Sequence, residues 1–101
     1  MLSSTKQLVG PNVSLADWSD TIYGRLIIGF AFRAPLDVVL TTPGLSRAVV
    51  ERALSKLDGV EGVRMSRYGL DVIIPHSYTV DEMVPAIIGT LAQLGWDLSK
   101  V

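Results

Sequence analysis

The order of apolar patterns along the chain predicts an α+β domain, with two helices on one face of an antiparallel sheet. Three observations carry this. Two segments repeat apolar residues at helical spacing, four alternate them at strand spacing, and glycine or proline punctuates the joins. The chain has 101 residues, the size of one domain. Folding at this size hides roughly 60–70% of the surface that an unfolded chain exposes.

The first 20 residues are polar with scattered apolar positions, and Gly10-Pro11-Asn12 has the composition of a turn. Residues 1–20 are therefore expected as an N-terminal arm and 21–101 as the domain. Between Thr21 and Arg33, Leu26, Ile28, Phe30 and Phe32 alternate, as a strand requires. Trp18, Ile22, Leu26 and Phe30 also fall four apart, as in a helix starting near Ser14. Gly24 and Gly29 weigh against that helix at about 1 kcal/mol each, and the β-branched and aromatic content favours the strand. This makes an extra N-terminal apolar segment ahead of the two-helix pattern.

Ala34-Pro35 breaks the segment. Leu36, Val38 and Leu40 alternate again, which predicts a short strand. Thr42-Pro43 then reads as a helix start, with Thr as cap and Pro in the first turn. Leu45, Val49, Ala53 and Leu57 form its apolar stripe, flanked by Val50 and Leu54, and Gly59 closes it. Residues 60–66 and 70–74 alternate around a short turn with Gly69, the pattern of a β-hairpin. Thr79 and Glu82 have capping-box spacing ahead of a second stripe of Met83, Ile87, Leu91 and Leu94. Pro85 should kink that helix or shift its start. Gly95 caps its far end, and Trp96 to Val101 could make a last strand. From Leu36 the order is strand, helix, strand, strand, helix, strand: the split β-α-β arrangement of ferredoxin-like domains.

Residues 49–96 resemble the heavy-metal-associated domain. The matching phrases are Ala53-Leu54-Ser55-Lys56-Leu57-Asp58-Gly59-Val60-Glu61-Gly62-Val63 and Leu91-Ala92-Gln93-Leu94-Gly95-Trp96. That family binds metal through a Cys-x-x-Cys pair between its first strand and first helix. Here Thr41-Thr42-Pro43-Gly44-Leu45-Ser46 stands in that place, so no metal residue carries over. The resemblance implies the fold, not metal transport.

Composition narrows function. Apolar residues make up 49% of the chain and charged residues 19%, with mean hydropathy +0.39. The charged share is below the usual figure of about 25%. More apolar surface than one small core can hide is expected, with a homo-oligomer or a protein partner as its outlet. Nine basic and ten acidic residues are spread evenly, for a net charge of −1. This argues against nucleic-acid binding and against a polybasic membrane patch. Leu26 to Phe32 is too short to span a bilayer, which needs about 20 apolar residues. No cysteine occurs, which excludes disulfides and thiolate sites and suits the cytoplasm.

No enzyme motif is present, neither a nucleophile elbow nor a phosphate loop. His76, the single histidine, reads as a loop residue because it has no second ligand or orienting partner in sequence. Asp58/Glu61 and Asp81/Glu82 read as turn and helix-start carboxylates, and Arg64, Arg67 and Tyr68 as solvated hairpin residues. No cofactor and no metal are expected. The expected function is a non-enzymatic binding or assembly module, with a small-ligand or metal-sensing regulatory domain as the alternative. Its interface is expected at Trp18, Ile22, Leu26, Ile28, Phe30, Phe32, Val39 and Ile73.

Overall fold

The computed structural model describes residues 7–20 and 24–101. Ile22 lies outside the described residues. The fold is α+β, built on one five-stranded antiparallel sheet. Its strands are β1 (Gln7–Gly10), β2 (Val13–Asp20), β3 (Arg25–Phe32), β4 (Gly62–Met65) and β5 (Gly69–Pro75), in the order β1-β2-β3-β5-β4. Its helices are α1 (Leu36–Val39), α2 (Arg47–Ser55) and α3 (Val80–Gln93), followed by a 3-10 turn at Leu98–Lys100.

The first correction concerns residues 1–20. Their described part is no arm outside the domain. It folds at the Pro11-Asn12 turn into β1 and β2, and β2 pairs with β3 along its whole length, from Val13↔Phe32 to Asp20↔Arg25. Val13 and Leu15 are buried. Ser14 between them and the polar Asp17 and Ser19 beyond obscured a strand that buries only part of one face.

The strand reading of Leu26–Phe32 holds. Ile28, Phe30 and Phe32 point into the core, and Leu26 packs at its margin. The short strand expected at Leu36–Leu40 is instead the helical turn α1. Leu36 is buried and Val38 is 59% exposed, so the inward residues are 36, 39 and 40, the spacing of a helix. The Leu40 amide closes the turn on the Leu36 carbonyl at 2.9 Å.

Helix α2 begins at Ser46, not at Thr42. Gly44 takes φ +81°, a left-handed conformation that no helix can run through. The Thr42 hydroxyl donates to the Gly95 carbonyl (3.0 Å), while the Ser46 hydroxyl accepts from the Val49 amide. The buried stripe is accordingly turned by one residue, onto Val50 and Leu54. Helix α3 follows its expected pattern. Thr79 and Glu82 complete the capping box, and Met83, Ile87 and Leu91 are buried. Pro85 lies exposed within it. At its end Gly95 takes φ +94°. The Gly95 and Trp96 amides then donate to the carbonyls of Ala92 and Leu91, which closes the helix.

The expected last strand is absent. Trp96 and Leu98 are buried, but residues 98–100 form a 3-10 turn. The physical reason is occupancy: β2 already sits beside β3, and Gly10 of β1 packs directly on the Leu98 carbonyl. Trp96 stacks on Phe32 with ring centroids 5.4 Å apart. Helices α2 and α3 thus cover one face of the sheet, and the core lies between.

Candidate protein-docking face of the sheet

Strand alternation decides which residues reach the second face. If Leu15, Ile28, Phe30, Val72 and Ile74 point to the helices, their neighbours point away. Ile27 is 6% exposed yet stands apart from the core cluster, which places it on this second face. No helix of the described residues lies there.

The register arranges this face in rows. One row runs Trp18–Ile27–Ile73–Gly62, the next Ala16–Gly29–Asp71–Arg64, the third Leu8–Ser14–Ala31–Gly69. Trp18 and Ile73 make a ridge. Trp18 leans across Gly29 so closely that a Cβ there would lie 2.8 Å from its ring, and Ile73 leans toward Gly62. The third row is a trough of small residues rimmed by Leu8, which is 75% exposed. A cavity of about 330 Å³ opens at its end, between Leu8, Ser14, Ala31 and Arg33.

The charges here are few and mostly paired. Arg64 lies 3.7 Å from Asp71, and Arg25 lies 3.2 Å from Glu61. Burial beneath the neighbouring side chains pushes the Asp71 carboxyl above its ordinary range, and Arg64 opposes that shift. Arg33 and Arg67 are exposed at the trough end, and neither has an acidic partner among the described residues. Arg67 stacks over the Tyr68 ring at 5.7 Å instead.

The expected interface residues divide in two. Ile28, Phe30 and Phe32 are corrected: they are core of this chain, with 0%, 1% and 5% exposure, and no partner can reach them. Leu26 packs beside them, and Val39 packs on the core from α1. Trp18 and Ile73 stand in one row of the open face, on either side of Ile27. Sequence reasoning missed Leu8 and Ser14 because β1 and β2 were not seen as strands, and missed Ile27 because only the Leu26–Ile28–Phe30–Phe32 side of β3 was taken as the interface. Alternation along β2 and β3 together locates all of them.

His76 has a more specific geometry than a solvated loop residue. Its Nε2 lies 2.9 Å from the Arg25 carbonyl and 3.1 Å from the Ser19 hydroxyl. A carbonyl only accepts, so Nε2 carries the proton. In that tautomer Nε2 cannot take a proton from Ser19, and the pair fastens the ends of β2, β3 and β5. Among the described residues no cluster of three or more His, Cys, Asp or Glu could hold a metal ion. Nor is any helix among them long and apolar enough to cross a membrane. Comparison with family models, curated proteins and solved structures finds no match to this chain.

Proposed function

We propose that this protein is a non-enzymatic assembly module that uses the open sheet face for self-association or for docking on a protein partner. The observation that carries the reading is the Trp18–Ile27–Ile73 row, an apolar ridge on a sheet face with no helix of the described residues over it. An antiparallel sheet tolerates water on one side, but such a side normally carries polar residues. Aromatic residues and arginine are also the types enriched where proteins meet, and Trp18, Tyr68, Arg33 and Arg67 lie on or beside this face.

A ferredoxin-like fold belongs to the same reading. In its support, β3 and β4 run parallel, with β5 between them and α2 in the connection, which is a split β-α-β unit. Strand β2 stands where the sixth element of that fold would add its strand. Kinship with heavy-metal-associated domains is proposed on the residue phrases alone, and a cytoplasmic setting on the cysteine-free composition alone.

The test is light scattering with size-exclusion chromatography across a concentration series, on wild type and on Trp18→Asp. Wild type should gain mass with concentration and the variant should stay monomeric. A wild type that is monomeric throughout, and that retains no protein the variant does not also retain, overturns the proposal.

A further inference from the structure

We infer that the cavity at the end of the open face binds a small organic carboxylate, its charged group held by Arg33 and its short apolar body lying against Leu8 and Ala31. The inference stands apart from the assembly reading, since the Trp18–Ile27–Ile73 ridge contributes nothing to this lining. Three features select this class of ligand.

The first is shape. Ser14 stands between Leu8 and Ala31 in one cross-strand row. Two short side chains beside a long exposed one leave a depression, and the cavity of about 330 Å³ opens there. That volume lies at the small end of ligand sites, which run from roughly 300 to 1,000 Å³. It suits a molecule of few heavy atoms.

The second is charge. Arg33 is the one charged residue of the lining, and it has no carboxylate partner among the described residues. Arg25, Arg47 and Arg64, by contrast, lie 3.2, 3.0 and 3.7 Å from carboxylates. Asp37, which follows Arg33 in the chain, is the residue that Arg47 holds. Arg67 adds positive charge at the same end of the sheet but outside the lining. The backbone at Arg33 is tied on both flanks: its amide donates to the Asn12 carbonyl (3.0 Å), and the Phe32 amide donates to the Tyr68 carbonyl (2.8 Å). A guanidinium on so fixed a base presents a planar fork of N–H donors, which fits both oxygens of a carboxylate. One cation also answers one negative charge. A doubly charged phosphate would leave its second charge unanswered within the lining.

The third is the division of the walls. Asn12 and Ser14 supply uncharged donors in addition to Arg33, whereas Leu8, Ala31 and Phe32 supply carbon. A few polar groups that fix one end of a ligand, with apolar walls for the rest, are the usual make-up of a small-molecule site. A bare inorganic anion would leave the apolar walls unused.

The test is an NMR titration of the full chain with isocaproate at constant ionic strength, followed at the backbone amides of Ser14, Ala31 and Arg33. Isocaproate should saturate these shifts with a Kd of about 1 mM or below, within reach of a ligand of few heavy atoms. Isocaproamide has the same body without the charge and should bind at least about tenfold more weakly. Arg33→Gln should weaken isocaproate by a similar factor. Ala31→Leu keeps Arg33 but fills the cavity, and should abolish saturable binding. Ala31 is exposed, so the larger side chain disturbs no core, and circular dichroism checks that each variant folds. Shifts that do not saturate, or that centre on other residues, overturn the inference. So does equal binding of the amide, equal or tighter binding of inorganic phosphate, or binding that Ala31→Leu leaves unchanged.

Discussion

The two faces of the sheet are made by the same strands yet solve different problems. On the helix side, Ile28, Phe30, Val72 and Ile74 meet α2 and α3 and are sealed from water. On the open side, the alternate residues of the same strands have only one another among the described residues. Ile27 reaches 6% exposure there without a helix, because its row places it between Trp18 and Ile73. Cross-strand neighbours can therefore shelter a central residue, but they leave their own outer surfaces wet. The helix face is finished within the chain, and the open face is only half covered by itself.

This contrast can be broken most forcefully at Phe30. Phe30→Ala should cost about 3–5 kcal/mol in urea unfolding, the range for emptying an aromatic site in a sealed core. A loss under 1 kcal/mol would mean the helix side is not packed as described. On the open face, Gly29→Ala should cost less, about 1–2 kcal/mol, because the new methyl group must push back the Trp18 ring or Asp71, both of which can move. Iodide should then quench more of the fluorescence. Trp96 is 2% exposed, so the change reports Trp18.

Thr79→Ala acts on neither face and gives a reference, with about 1 kcal/mol lost from the α3 capping box. A larger loss would couple the α3 start to the core more tightly than its cap implies. The smallest effect should come from Asp71→Asn. A carboxyl raised by burial holds its proton more firmly in the native state than in the unfolded chain. Its contribution to stability is complete at low pH and is lost as pH rises from its ordinary value of 3.8 through the native one. The variant should lack that decline and be at least as stable as wild type at neutral pH. Urea midpoints measured from pH 3 to 7 distinguish the two, and a steeper decline in Asp71→Asn would contradict the assigned cause.

Much of the fold was legible in residue order. The capping box at Thr79 and Glu82, the Met83–Ile87–Leu91 stripe and the hairpin around Gly69 follow from local chemistry, and the structure has them in place. The errors share one origin. Leu36–Leu40 and Trp96–Val101 alternate like strands, but alternation over so few residues also fits a helical turn. The place beside β3 that a last strand would take is filled by β2. The interface reading failed at Ile28, Phe30 and Phe32 for a related reason: with β1 and β2 counted as an arm, the most apolar segment was left without a place in the core.

The sequence by itself determined the α+β class, the strand at Leu26–Phe32, the caps of α3 and the absence of thiol chemistry, because each depends on neighbours within a few residues. Tertiary structure alone decided that β2 lies beside β3 and that the C-terminal residues coil against β1. It also decided which of two apolar rows faces the helices. Pairing partners are remote in sequence, and a strand's inward side is set by what packs on it. Local pattern names two faces, and only packing tells which one is left open.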